Sequence, residues 1–404
     1  MPKAETITHQ RLDVVDTLRG FALFGIVFVH FMEQFYAGPA PEPHQNYTQH
    51  ILSDGILDGF VNILMRGKFF MLFSFLFGLS FAIQMERRGN HFWMRFLWRL
   101  TILFAIGWVH HLFYRGDILT IYALVGVPLV LLHKLSNKWV LVLATALMLG
   151  VPRLIIKAYD PSAGDFNIEM EKSKPKEIVY WQAVKSGSWL DIAKQNAGWG
   201  FEAKMDFQFG ILGRGYQTLA LFFLGLYAGR TRFFENLEGK KPNLKRGLWY
   251  SLAAFLGCFV IGALLFLVLK LPERLGAGWD MIIGMTLYDV SNLCQTMLYI
   301  FGFLLLFVNK PWWKRQILKL APYGRMALTN YFLQSVIGTF IFFAYGFNQL
   351  DVFGSTIAAL IGLVVFILQR LWSVWWLERY YFGPLEWAWR SLTFLKIQKF
   401  KKES

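Results

Sequence analysis

The chain has 404 residues, of which 55% are hydrophobic and only 17% charged, against roughly a quarter charged in ordinary soluble domains. With a mean hydropathy of +0.40, this composition excludes disordered, collagen-like and disulfide-framework classes and points to a membrane protein. The formal net charge of +15 would suggest nucleic acid in a soluble chain, but in a membrane chain it turns on where Lys and Arg sit relative to the bilayer. Cys258 and Cys294 lie inside apolar runs and not at metal-ligand spacing, so no metal site is expected.

Apolar stretches long enough to span a bilayer fall near residues 14–36, 60–85, 96–114, 118–133, 139–157, 212–229, 248–270, 281–308, 321–345 and 355–378. The expected fold is all-α: one integral membrane domain, residues 1–404, with about ten transmembrane helices. The first follows a polar start and lacks a small-residue cleavage site, which suits a retained helix. With the N-terminus cytoplasmic and each span changing side, segments 1–13, 86–99, 134–138, 230–247, 309–320 and 379–404 carry 24 Lys and Arg. Segments 37–59, 115–117, 271–280 and 346–354 carry 2. This positive-inside asymmetry predicts a multi-pass membrane protein with both termini in the cytoplasm. The second span opens with Arg66 and Lys68, which suits an interfacial helix leading into it. Residues 158–211 mix six Lys with acids and with Trp181, Trp189, Trp199 and Phe201, and read as an extracytoplasmic helical insertion or lid.

Ionisable residues at membrane depth are costly and mark structural pairs or chemistry. On the first helix Arg19 and His30 are eleven residues apart, which returns to within about 20° of the same face after about 16.5 Å. His110, Tyr114 and Asp117 fall at i, i+4 and i+7 and form a polar column at the same depth as His30. A histidine with a carboxylate nearby suits general-base catalysis; a satisfied interior histidine or a helix-end belt is the plainer alternative. Lys68 is a cation with no partner in its own helix. Arg325, Asn330 and Tyr331 lie in another polar run, whose hydrogen-bonding residues serve substrate binding or helix packing. Arg87, Arg88, Arg95, Arg99, Arg230 and Arg232 cluster at the cytoplasmic face, where they suit a polyphosphate or anionic headgroups.

The ordered motifs Thr17-Leu18-Arg19-Gly20-Phe21, Lys68-Phe69 through Gly78, Gly116-Asp117-Ile118-Leu119, Gly324-Arg325-Met326-Ala327-Leu328-Thr329-Asn330-Tyr331 and Gly383-Pro384-Leu385-Glu386-Trp387 with Arg390 resemble the YeiB-type bacterial membrane proteins. That family is similar to a superfamily of transmembrane acyltransferases, which includes membrane O-acetylases of bacterial polysaccharides. The resemblance implies transfer of an acyl group from cytosolic acyl-CoA, acetyl-CoA among the candidates, to an extracytoplasmic hydroxyl or amine. It also implies a catalytic role for His30, whose spacing from Arg19 matches the polysaccharide acylases. The third-helix histidine, here His110, and Asp117 match the YeiB-type motif instead, so the base is His30 or His110.

On this reading Arg87, Arg88 and Arg95 hold the donor phosphates, and Arg19, Lys68, Arg325, Asn330 and Tyr331 bind substrate. Expected partners are membrane lipids and a small-molecule or glycan acceptor, without nucleic acid, and a homodimer stays open. The alternative is a small-molecule transporter or exporter whose Lys68 and Arg325 bind an anion.

Overall fold

The computed structural model describes residues 5–86 and 92–403, and among them every regular element is a helix. The chain opens with α1 (Glu5–Met32), then α2 (Leu52–Leu64) and α3 (Lys68–Glu86), which are parted at Gly67, whose φ of +87° suits a residue without Cβ. Next come α4 (Phe92–Phe113), α5 (Leu119–Leu131), α6 (Asn137–Met148) and α7 (Val151–Tyr159). The insertion folds as α8 (Phe166–Ser186), α9 (Trp189–Gln195) and α10 (Phe201–Phe209). After it follow α11 (Arg214–Arg230), α12 (Lys241–Ala263), α13 (Leu271–Leu275) and α14 (Trp279–Asn309). The last part holds α15 (Pro311–Ile317), α16 (Ala321–Arg325), α17 (Ala327–Phe342), α18 (Ser355–Arg379) and α19 (Pro384–Phe394).

Six helical runs among the described residues are long and apolar enough to cross a membrane: Asp13–Met32, Leu52–Glu86, Phe92–Phe113, Lys241–Val268, Trp279–Asn309 and Ser355–Arg379. Counting α6 with α7 (bent by 55°) and the α9–α10 run with α11 (bent by 56°) raises the number to eight. The expected ten is therefore corrected to six to eight. The two that fall away, α5 and α17, have 13 and 16 residues, or about 20 and 24 Å of rise against a hydrocarbon core of about 30 Å. Their ends are trimmed by polar anchoring: Asp117 accepts from the amides of Leu119 and Thr120 and starts α5, and Glu386 accepts from those of Leu328 and Thr329 and starts α17. Burial on most sides lets them stay short.

The connections sort to two ends of the bundle. At one end Arg325 meets Asp13, Arg232 meets Glu86, Arg230 donates to the carbonyl of Leu135, and Trp98 donates to that of Leu392. At the other, Gln34 donates to the carbonyl of Phe353, the amide of Ser355 donates to the carbonyl of Thr48, Lys185 donates to the carbonyl of Leu350, and Lys157 donates to that of Ala277.

The tightest seam joins α3 to α11. A Cβ on Gly78 would strike the backbone of Phe222, and one on Gly225 would strike the carbonyl of Phe75 and the amide of Leu79. Small residues let membrane helices approach in this way, because lipid competes with side chains but not with backbone contact. The α1–α16 contact uses the same device, Gly324 lying against the carbonyl of Asp16 and the amide of Gly20. By contrast α12 rests chiefly on α14 and turns Leu256, Phe259 and Val260 outward, a face suited to lipid.

The insertion is pinned by Arg115, in the turn after α4. Its guanidinium meets both Glu177 oxygens at 2.6 and 3.1 Å, donates to the Tyr36 carbonyl at 2.8 Å, and lies 3.9 Å from the Tyr180 ring centroid. Arg suits this site because its planar fork serves carboxylate and aromatic face together.

Two outcomes follow. Gly225→Val should cost about 1–3 kcal/mol or more by forcing α3 and α11 apart, measured as a lowered midpoint of thermal unfolding in detergent, whereas Gly257→Val, where nothing lies within 4 Å of an added Cβ, should leave it nearly unchanged. Arg115→Met leaves the Glu177 carboxylate buried without its partner, a loss of about 3–5 kcal/mol, and should speed proteolytic cleavage within residues 158–211.

Candidate functional site

A cavity of about 2000 Å³ runs through the bundle and is lined from both ends, well above the ~300–1,000 Å³ of ordinary small-molecule sites. At the Lys- and Arg-rich end its walls include Arg19, Ser80, Gln84, Arg99, Arg325 and Arg390. Partway along come Phe73, Phe77, Tyr122, His30 and Tyr331. At the far end the lining includes Glu33, Arg66, Arg214 and the insertion residues Glu177 and Lys204.

His30 and His110 come together from α1 and α4 around two shared tyrosines. The ring of Tyr114 lies 5.2 Å from His30 and 6.1 Å from His110, and that of Tyr331 lies 6.1 and 5.0 Å from them. His30 lines the cavity and its Nδ1 faces the Gln334 amide nitrogen at 3.4 Å. His110 sits behind it, fully buried, with Nδ1 2.7 Å from Asp117 Oδ1. A carboxylate only accepts, so the His110 proton belongs on Nδ1 and Nε2 remains the basic nitrogen. That Nε2 has no hydrogen-bond partner among the described residues. The Tyr331 hydroxyl accepts from the amide of Ile118 at 3.3 Å and keeps its own proton to donate.

Asp117 joins this pair to the insertion. Its Oδ2 accepts from Thr120 Oγ1 at 2.6 Å and lies 3.6 Å from Lys204 Nζ. Lys204 also donates to Thr120 Oγ1 at 2.8 Å and to His111 Nδ1 at 3.0 Å, while His111 Nε2 donates to the Asn196 carbonyl at 2.8 Å. Burial alone would raise the Asp117 pKa, but the His110 and Thr120 bonds and the Lys204 charge hold it below the usual carboxylate range. The group stays ionised and keeps His110 oriented.

The other residues singled out in the sequence divide. Arg19 lines the cavity, paired with Asp16 at 2.7 Å and bonded to Ser80 at 3.0 Å. Arg325 lines it too, paired with Asp13 and Asp16 at 2.7 and 3.4 Å. Lys68 is the first residue of α3, where its ammonium donates to the Asn62 carbonyl at 2.9 Å. Asn330 bonds Tyr323 and Ser373 and joins α17 to α18. Arg95 packs 5.4 Å over the Phe394 ring and is not among the cavity residues, and Arg87 and Arg88 lie outside the described residues.

Sequence reasoning missed Lys204, Arg214 and the Glu33–Arg66 pair, whose atoms are 3.0 Å apart. Lys204 sits in a stretch where lysines and acids balance, which looks like solvated surface. Arg214 follows Gly213 at the start of an apolar helix, a place where an interfacial cation raises no flag. Arg390 was seen only as part of a motif.

Comparisons add a family context. Residues 228–396 match the family model described as "Protein of unknown function (DUF418)". Over 99% of its length the chain is 29% identical to "Uncharacterized protein YxaH" of Bacillus subtilis, of which it covers 98%. It is 26% identical over 95% of its length to "Uncharacterized 39.9 kDa protein in amylase 3'region" of Bacillus acidopullulyticus, covering 94% of that protein. No solved structure matches. The chain is also 27% identical, over 95% of its length and 96% of the relative's, to "Uncharacterized protein YeiB" of Escherichia coli, so its likeness is to the YeiB-type membrane proteins along nearly the whole sequence.

Proposed function

We propose that the protein is a transmembrane acyltransferase of the bacterial inner membrane, moving an acyl group from cytosolic acyl-CoA to a hydroxyl or amine on the other side, with both termini cytoplasmic. The observation that carries this reading is the cavity, whose walls are cationic at the Lys- and Arg-rich end and hold His30 and Tyr331 partway along. The donor phosphates are assigned to Arg99, Arg325 and Arg390, which line that entrance, in preference to Arg95; the pantetheine arm follows the aromatic walls.

In the chemical step the acceptor oxygen or nitrogen attacks the thioester carbonyl carbon while the base takes its proton. The tetrahedral oxyanion receives a hydrogen bond from the Tyr331 hydroxyl. Its collapse breaks the carbon–sulfur bond, and the CoA thiolate regains the proton from the imidazolium. His30 is assigned as the base because it faces the cavity. His110 meets the chemical requirements through its Asp117 bond and open Nε2 but stands one layer back. Passage of an anion through the same cavity is the competing reading, and it requires substrate flux across vesicles without acyl transfer.

His30→Ala should lower acyl transfer by about 10²–10⁴-fold, the usual contribution of a general base, with acyl-CoA binding and unfolding midpoint nearly unchanged. A larger loss in His110→Ala with folding intact would move the base to α4, and equal, stability-linked losses would leave both histidines structural.

Calorimetry should detect binding of acetyl-CoA or a longer acyl-CoA, weakening as salt screens the phosphates and weakening further in Arg325→Gln/Arg390→Gln. No binding of any acyl-CoA to folded protein would remove the donor. For the topology, Gln45→Cys should react with an impermeant thiol reagent only from the extracytoplasmic side, and labelling from the cytoplasm would invert the scheme.

A further inference from the structure

Around the outer half of the cavity the cations are matched with acids, with one exception. Arg66 meets Glu33 and Asp58, Lys204 meets Asp117, and Arg115 meets Glu177. Arg214 lines the cavity at the first turn of α11 and meets no carboxylate among the described residues; its recorded contact is the face of Phe70, 4.1 Å from guanidinium carbon to ring centroid. One turn along α11, Gln217 is only 3% exposed and lines the same cavity, and its Oε1 has no hydrogen-bond partner. Residues three apart on a helix share a face, so the wall presents two unmet demands side by side: a cation without an anion and an acceptor oxygen without a donor.

The surroundings leave the cation unneutralised. The carboxylates that act on Arg214 are Asp289 of α14 and Glu33, just past the end of α1. Asp289 is already held by Arg153 at 2.5 Å. Glu33 is in turn taken by Arg66 at 3.0 Å, so neither carboxylate is left to neutralise Arg214 alone. An uncompensated guanidinium in a partly buried wall favours an anionic partner, and a buried acceptor without a donor adds its own penalty.

We infer that Arg214 and Gln217 form an anion-anchored acceptor subsite, which takes a hydroxylated anion: a phosphate or carboxylate on Arg214, with a neighbouring hydroxyl donating to Gln217 Oε1. This rests on the acyl-transfer reading only in calling the ligand the acceptor; the anion site itself follows from the two side chains. Glu33, one of the groups acting on Arg214, is three residues from His30, and both line the same cavity, which places the base and the anion site on one wall system. A soluble polyol phosphate and an anionic glycerolipid headgroup share this chemistry.

The test uses the full chain in phosphatidylcholine nanodiscs. In one arm sn-glycerol 3-phosphate is titrated, with glycerol as the uncharged control; in the other, phosphatidylglycerol replaces part of the phosphatidylcholine. A saturable rise in unfolding midpoint in either arm, absent with glycerol, supports the subsite and tells which source supplies the anion. Arg214→Gln should weaken binding at least tenfold, as expected for loss of a charge-assisted contact, Arg214→Lys should retain part of it, and Gln217→Met should weaken it while keeping the charge. No shift in either arm, or shifts unaltered by Arg214→Gln, would overturn the inference. Acetyl-CoA calorimetry on the same samples separates the two claims: donor binding should survive Arg214→Gln, and anion binding without any donor binding would remove the acyl-transfer reading while leaving the site. If Arg214→Gln fails to fold, Arg214→Lys and Gln217→Met carry the decision.

Discussion

One carboxylate, Asp117, ties together three parts of the molecule. It caps α5, orients the His110 ring of α4, and lies beside Lys204 of the insertion. A fully buried carboxylate is tolerable only if its oxygens are satisfied, and here Leu119, Thr120, His110 and Lys204 satisfy them. Remove it and α5 loses its start, His110 its tautomer and Lys204 its counter-ion together. The geometry around His30 and Tyr331 depends on α5 and α17 staying short, because their ends bring the Ile118 amide to the Tyr331 hydroxyl.

The same logic repeats at the other ends of the chain. Arg115 with Glu177, Arg153 with Asp289 and Arg66 with Glu33 each tie a helix end to a segment distant in sequence. These pairs contribute little net stability against apolar substitutes, since desolvation offsets attraction. They do set register, because a helix that slid by one residue would strand a charge. Apolar packing provides the bulk of the contact in the interior, and glycine seams such as Gly78–Gly225 set how closely the helices approach.

Local periodicity made much of this legible. Apolar stretches located the main helices. The pairing of His110 with Asp117 was found for a wrong geometric reason: α4 ends at Phe113, so Asp117 bonds His110 from the following turn and not from a shared helix face. The Gly20 and Gly324 motifs, distant in sequence, meet in the α1–α16 contact. Span number was misjudged because hydropathy does not register where Asp117 and Glu386 begin a helix. Lys204, Arg214 and Arg390 were invisible as site residues because their significance lies in what faces them across the bundle. Lys68 misled for the opposite reason: its partner is a backbone carbonyl, which no side-chain pattern announces.

The pairing of Asp117 with Lys204 has a consequence for biosynthesis. The chain leaves the ribosome from its N-terminus, so α4, the Asp117 turn and α5 enter the membrane before α8 to α10 have been made. During that interval the carboxylate lacks its ammonium, and the hairpin that carries it is held by its own amides and by His110 alone. The Asp117–Lys204 contact therefore forms on helices already made, and Tyr331 of α17 joins the proposed active site later still.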